Sequence, residues 1–163
     1  MAVHIVFGEM GSGKSFQGQR LASQLGVPYF EGDEFLSEEL KARVSRANPL
    51  TVGDVNKFVK ECLVPGILRL THANRAFVIS QALYARAHRE QVARALESVG
   101  LAAQFHWVRP TSLLLQIRAL LKRKPGFKWV LVMLISKPWF QKPEGQVNII
   151  ENDYGVAADK TKH

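Results

Sequence analysis

Short apolar runs alternate with stretches of helical periodicity along this chain, and the alternation predicts its fold. Buried strands are predicted at residues 3–7, 27–30, 76–79, 103–108 and 147–150. Helices are predicted between them at residues 15–25, 51–70, 84–99 and 111–124. Strands that alternate with helices imply right-handed crossovers, so the sequence predicts an α/β fold, a three-layer α/β/α sandwich around a five-stranded parallel sheet.

Local signals refine the helix boundaries. Thr51 and Asp54 have the spacing of a capping box, and Thr111 is the expected N-cap of the last predicted helix. Pro65-Gly66 interrupts the helix that follows Thr51, so we expect a kink or a break there.

Composition indicates one globular domain over residues 1–163. The 163 residues are 47% hydrophobic and 22% charged, which argues against disorder. The single cysteine, Cys62, excludes an intramolecular disulfide framework and a Cys-rich zinc module. We see no secretory signal, and the longest apolar run, residues 129–135, is too short to span a bilayer. We therefore expect a cytoplasmic protein that does not associate with membranes.

The formal net charge of +8 is concentrated in one segment of the chain. Eight basic residues lie between Arg109 and Lys142, a stretch that contains no Asp or Glu. Such a block attracts an anion, which could be nucleic acid, an acidic membrane surface or the phosphates of a nucleotide. The alternative is a solvated basic face without a ligand.

A phosphate-binding motif follows the first predicted strand. It spans eight residues and fits Gly-x4-Gly-Lys-Ser/Thr without a mismatch: Gly8, Glu9, Met10, Gly11, Ser12, Gly13, Lys14 and Ser15. Glycines let the backbone N–H groups turn inward toward phosphate oxygens, and the start of the following helix adds a partial positive charge. We expect these residues to bind ATP, with Lys14 on the β- and γ-phosphates and Ser15 on Mg²⁺. A purely structural glycine turn is the alternative.

Two carboxylates follow the second predicted strand, in Phe30-Glu31-Gly32-Asp33. Ligands of α/β proteins bind at this carboxyl edge of the sheet, and residues two apart on an extended backbone point the same way. Glu31 is the candidate for magnesium-bound water, and Asp33 for taking a proton from an attacking hydroxyl. Alternatively, both residues only cap a helix that begins near Glu34.

With these motifs the chain resembles the small-molecule kinases of the nucleoside-monophosphate-kinase superfamily, and most of all the gluconokinase and shikimate kinase families. The resemblance covers residues 3–150, although only the phosphate loop is specific by itself. The other similar segments are Glu31-Gly32-Asp33, Pro49-Leu50-Thr51 with Asp54, Ser80-Gln81-Ala82-Leu83 with Arg86 and Arg89, Leu114-Leu115-x-x-Arg118, Lys122-Arg123, Gly126-Phe127 and Pro143-Glu144-Gly145.

The resemblance implies roles for several of these residues. A small basic lid at about residues 122–143 would close over ATP, and Arg118, Lys122 and Arg123 would stabilise the transferring phosphoryl group. Asp33, Asp54, Arg86 and Arg89 would bind the acceptor. The segment 129–135 is more apolar than a solvated lid, which suggests packing on the core or on a second subunit, so a homodimer is possible.

Three positions depart from the gluconokinase pattern. The chain has Phe35-Leu36-Ser37 where that family has a His, Val55 where it has an Arg, and Tyr84 where it has a Lys. Nucleotide-binding features are retained, whereas acceptor-binding ones have changed. The favoured function is phosphate transfer from ATP to a hydroxyl of a small metabolite. The alternatives are a catalytically silent nucleotide-binding module and a P-loop NTPase that acts on nucleic acid.

Overall fold

The computed structural model describes residues 1–154, and its central sheet explains which chain segments meet. The strands are β1 (Ala2–Phe7), β2 (Tyr29–Glu31), β3 (Phe77–Gln81), β4 (Ala102–Pro110) and β5 (Asn148–Asn152). All neighbouring strands are parallel, in the order β2-β3-β1-β4-β5. The predicted five-stranded parallel sheet is confirmed, with boundaries shifted by one or two residues.

Seven α-helices connect the strands. They are α1 (Lys14–Leu25), α2 (Glu38–Ser45), α3 (Val52–Phe58), α4 (Val64–Ala73), α5 (Arg86–Glu97), α6 (Leu113–Arg123) and α7 (Phe127–Ser136). Short 3₁₀ helices lie at Gly32–Phe35 and Lys137–Trp139. Within residues 1–154, no helix has the length and apolar character needed to cross a membrane.

The two faces of the sheet carry separate cores, because successive strand residues point to opposite sides. Val3, Ile5 and Phe7 of β1 pack in the larger core, which includes residues of α3 to α5 such as Phe58, Ile67, Val92 and Leu96. Val6 points the other way and packs with Ala22 of α1. Helices therefore cover both faces, as the α/β prediction requires.

The long helix predicted from residue 51 begins as expected and breaks earlier than expected. Thr51 and Asp54 form the predicted capping box. A π-helical turn at Val59–Leu63 then separates α3 from α4, and Pro65 lies in the first turn of α4. Proline fits there because the first N–H groups of a helix need no intrahelical partner. The break therefore precedes Pro65-Gly66.

The N-cap predicted at Thr111 is wrong. Ser112 caps α6, with its hydroxyl accepting from the backbone N–H of Leu115. Thr111 is instead bound to the end of β5, since its backbone N–H donates to the carbonyl of Asn152 at 3.1 Å. A contact with a strand 41 residues away leaves no local signal in the sequence.

The apolar segment within the predicted lid is helical. Trp129, Val130 and Met133 of α7 are buried, and Trp129 and Met133 pack against Leu120 of α6. Phe127, Leu131 and Leu134 remain exposed on the opposite side. The expectation that this segment packs on the rest of the chain is thus confirmed for one face of the helix.

Candidate active site

The phosphate loop joins β1 to α1 in a conformation that depends on glycine. Gly11 and Gly13 have φ angles of +74° and +87°, and a Cβ on Gly13 would collide with the side-chain amide nitrogen of Asn152. The backbone bonding of α1 starts with Gln17 N–H donating to Gly13 O. The N–H groups of Lys14 and Ser15 therefore have no intrahelical acceptor and are suited to bind an anion.

Residues from distant parts of the chain bind the outer side of this loop. The side-chain amide of Asn152 donates to the carbonyl of Ser12 at 2.7 Å, and the Tyr154 hydroxyl donates to the carbonyl of Gly11 at 2.6 Å. Gln116 donates to the carbonyl of Met10 at 2.6 Å, and Met10 N–H donates to the Tyr84 hydroxyl at 2.9 Å. These contacts hold the loop from its outer side, and they do not use the N–H groups of Lys14 and Ser15 at the start of α1. Sequence reasoning missed these supporting residues, which match no motif.

Lys14 is the electrostatic centre of the site. Burial lowers its pKa, and the positive charges of Arg123 and Lys124 lower it further, whereas Asp33 and Glu31 oppose the shift. The phosphate-loop lysine, both carboxylates and the basic end of α6 are therefore close enough to interact. A bound phosphate would offset the mutual repulsion of the three cations.

The two carboxylates after β2 have different environments. Glu31 accepts hydrogen bonds from the hydroxyls of Tyr29 at 2.5 Å and Ser80 at 2.7 Å. Burial and the neighbouring Glu31 raise the pKa of Tyr29. Asp33 is exposed and lies in the 3₁₀ helix, so the expectation that residues 31 and 33 share one extended face is wrong. Glu31 precedes that helix without any side-chain capping bond, which does not support the capping alternative for this residue.

A cleft of about 1440 Å³ runs along the carboxyl edge of the sheet. Its phosphate-loop side includes Met10, Gly11, Gly13, Lys14, Ser15, Arg118, Lys122, Arg123 and Lys124. Residues 36–58 and 81–88 contribute another part of the lining, which we call the apolar side, and Asp33 also lines the cleft. Single small-molecule sites occupy roughly 300–1,000 Å³, so this cleft has room for a nucleotide and a second molecule.

Several predicted site residues lie outside the cleft lining. A Cβ on Gly8 would lie 2.7 Å from both the Ser12 hydroxyl and the Val108 carbonyl, so this glycine is required for packing. Glu9 accepts from the Lys137 ammonium at 2.7 Å. Ser12 is fully buried, and Glu31, although outside the lining, is close enough to Lys14 to affect the pKa of that lysine.

The three residues expected to bind an acceptor by resemblance alone are also outside the lining. Asp54 accepts from Thr51 and pairs with Arg43 at 3.1 Å, and its hydrogen bonds with Thr51 lower its pKa to about 2. Arg86 is exposed and pairs with Glu90 and Glu144, each at 2.7 Å.

Arg89 is buried beneath the cleft. It donates to the carbonyls of Leu83 at 2.8 Å and Gln141 at 2.9 Å, and it stacks on the Phe7 ring.

Magnesium has candidate positions but no dedicated cage. Among residues 1–154, no group of three or more His, Cys, Asp or Glu side chains could hold a metal ion. Mg²⁺ bound with a nucleotide needs few protein ligands, because phosphate oxygens and water complete its octahedron. The Ser15 hydroxyl at the start of α1 and the Glu31 carboxylate fit that pattern.

Comparisons with known proteins agree with this fold. A shikimate kinase family model matches residues 10–50. A probable gluconokinase of the mouse, Mus musculus, is 40% identical over 52 residues, a match that spans 32% of this chain and 28% of that protein's length.

Solved kinase structures match over nearly the whole chain. A gluconokinase from Sinorhizobium meliloti 1021 is 20% identical with a TM-score of 0.72, covering 92% of this chain and 80% of that one. An unliganded sugar kinase from Janibacter sp. HTCC2649 is 18% identical with the same TM-score of 0.72, covering 93% and 84% of the two chains. The resemblance to P-loop small-molecule kinases is confirmed, and the chain has their α/β fold.

Proposed function

We propose that this protein is an ATP-dependent phosphotransferase that moves the γ-phosphate of ATP to a hydroxyl group of a small metabolite. The observation that carries the proposal is the convergence of the phosphate loop, Asp33 and the basic end of α6 on one cleft. A phosphate site alone would suit any nucleotide-binding protein. A carboxylate and several free cations beside it are the groups that phosphoryl transfer requires.

The phosphate loop would bind the nucleotide. Backbone N–H groups at the start of α1 would donate to phosphate oxygens, and the Lys14 ammonium would contact the β- and γ-phosphates. The Ser15 hydroxyl would ligate Mg²⁺, and Glu31, fixed by Tyr29 and Ser80, would bind a metal-coordinated water. Magnesium, when bound, would neutralise charge on the phosphates.

Asp33 would act on the acceptor. Strand β3 lies between β1 and β2, so the ends of those two strands are separated by two strand spacings, or about 10 Å. That gap leaves room for an acceptor hydroxyl between Asp33 and a phosphate bound by Lys14. The Asp33 carboxylate would take the hydroxyl proton as the new O–P bond forms.

The basic end of α6 would stabilise the transition state. Arg118 and Lys122 are one helical turn apart and line the cleft with Arg123. Their donors would interact with charge on the equatorial oxygens of the transferring group, and the segment around α7 would exclude water. Replacing Arg118 or Arg123 should therefore lower turnover more than ATP affinity.

An ADP-release screen over sugar acids, polyols, nucleosides and nucleoside monophosphates tests the proposal directly. We expect at least one compound to stimulate ADP release in wild type and not in Asp33→Asn. ATP binding with no stimulation by any compound would instead favour the silent nucleotide-binding module. Tight, salt-dependent binding of duplex or single-stranded nucleic acid would favour the NTPase.

A further inference from the structure

The apolar side of the cleft differs chemically from the phosphate-loop side. Most of its lining side chains are hydrocarbon, including Leu36, Val44, Leu50, Val52, Val55 and Phe58. Not one Lys, Arg, Asp or Glu occurs among the lining residues contributed by 36–58 and 81–88. All the described basic residues of the lining, by contrast, belong to residues 14–20 and 118–124.

The arginines next to the apolar side, Arg43 and Arg89, form ion pairs or hydrogen bonds outside the cleft lining. Arg43 pairs with Asp54 at 3.1 Å and donates to the Pro49 carbonyl. Arg89 directs its guanidinium to backbone carbonyls and is 6% exposed. Neither guanidinium lines the cleft, so an acidic acceptor would meet no charge partner on this wall.

The polar groups of the apolar side suit hydroxyls. Asn56 is exposed, and its side-chain oxygen lies 2.7 Å from His88 Nε2. That oxygen can only accept, so His88 Nε2 carries the proton and His88 Nδ1 is an acceptor. Within the described residues, His88 Nδ1 and Gln81 Oε1 are buried without a hydrogen-bond partner, on side chains 6% and 7% exposed.

Buried acceptor atoms that lack a hydrogen-bond partner favour a ligand that can donate a hydrogen bond. A hydroxyl supplies the missing proton to such an atom, whereas a carboxylate or phosphate is repelled by it. The carboxylate of Asp33 beside this wall repels an anion as well. Burial of a carboxylate without a charge partner also carries a large desolvation penalty.

We infer that the acceptor is an uncharged, partly apolar hydroxyl compound, such as a deoxysugar or a cyclic diol, and not a sugar acid or a phosphate ester. Its hydrocarbon part packs against the apolar side, its reacting hydroxyl faces Asp33, and its remaining hydroxyls bind Asn56 and, once their side chains rotate toward the cleft, Gln81 and His88. This inference rests on the proposed function, which it narrows to one substrate class.

Matched compounds test the inference. Deoxysugars, polyols and cyclic diols are each assayed beside the carboxylate or phosphate ester of the same skeleton, by ADP release and by thermal shift with Mg²⁺ and a non-hydrolysable ATP analogue. We expect the neutral member of a pair to have a kcat/KM about tenfold or more above that of its anionic partner. Equal or higher values for the anions would overturn the inference and leave the kinase assignment intact.

The thermal shift distinguishes failure of the proposed function from failure of the inference about the acceptor. Neutral compounds that stabilise the protein without ADP release would overturn the proposed function and support the binding site. Failure of every compound to bind or react would overturn both.

A charge introduced into the wall provides a second test. Val55→Arg places a guanidinium on the apolar side, and Gln24→Arg adds the same charge at the exposed end of α1. We expect Val55→Arg to shift the kcat/KM ratio toward the anionic partner by about tenfold, and Gln24→Arg to leave it unchanged. An unchanged ratio in a Val55→Arg protein with wild-type Tm would contradict the inference, and the matched compounds test it in wild type if this variant does not fold.

Discussion

The two sides of the cleft differ in the groups that form them, which are backbone groups on one side and side chains on the other. On the phosphate-loop side, the binding groups are backbone N–H groups at the start of α1, and the loop's carbonyls are bound from behind by Asn152, Tyr154 and Gln116. On the apolar side, the wall consists of side chains from α2 and its flanking residues, from α3, and from the segment between the end of β3 and His88 of α5. A backbone site tolerates little change because its glycines are required, whereas a side-chain wall can change one residue at a time.

Their electrostatics differ in the same way. Lys14, Arg118, Lys122, Arg123 and Lys124 give the phosphate-loop side its positive charge. The apolar side is uncharged, and burial lowers the pKa of His88, with help from the positive charge of Arg89. The proposed function assigns phosphate affinity and acceptor choice to separate residues, so substitutions should affect one without the other.

Asp33→Asn should produce the largest effect. The amide preserves the shape of the side chain and removes the proton acceptor, so turnover should fall by about 10²–10⁴ while ATP affinity stays nearly constant. ADP release and calorimetry measure the two quantities. Glu34→Gln is the control, because Glu34 is exposed and outside the cleft lining. Wild-type turnover in Asp33→Asn would remove Asp33 from the chemistry.

Lys14→Ala should act on the phosphate-loop side. Loss of a charge-assisted contact of about 1.5–3 kcal/mol should weaken ATP binding roughly ten- to a hundred-fold. Lys57→Ala, an exposed lysine outside the lining, should leave the ATP affinity unchanged in the same calorimetric titration. Equal affinities for wild type and Lys14→Ala would show that the loop does not bind the nucleotide.

Asn152→Ala tests whether the supporting contacts behind the loop matter. The Ser12 carbonyl would lose its 2.7 Å donor, and an unsatisfied buried group costs about 1–3 kcal/mol of folding free energy. We expect a lower Tm together with weaker ATP binding, since the loop loses its support. Asn148→Ala, at the exposed start of β5, should change neither. Unaltered ATP affinity in Asn152→Ala would make this contact structural only.

The smallest predicted effect is a pH dependence of folding stability that arises from His88 on the apolar side. Because the pKa of His88 is lowered in the folded state, the unfolded chain binds the additional proton below the ordinary histidine pKa of about 6.5. Folding stability contributed by neutral His88 is therefore present above that pH and is lost as the pH falls below it. His88→Gln should show a shallower fall in Tm between about pH 7 and pH 5. The same slope in wild type and variant would show that His88 is not responsible.

The sequence alone determined the features that arise within a few residues. The phosphate loop follows from glycine spacing, the capping box at Thr51 from a four-residue pattern, and the alternating elements from local periodicity. These local features were sufficient to predict the α/β class, because parallel strands joined by helices have few allowed topologies. Helix α7 was not predicted from the sequence, because an unbroken apolar run shows no helical periodicity.

Only the tertiary structure decided which residues share the site. The sheet order placed β3 between β1 and β2, and so set the gap between Lys14 and Asp33. It brought Asn152 and Tyr154, 140 and 143 residues from their partners, onto the phosphate loop. It also paired Arg86 with Glu144 and buried Arg89 against carbonyls, although a local motif grouped both with the acceptor residues. Long-range contacts depend on how elements pack, and packing leaves no fixed spacing in the chain.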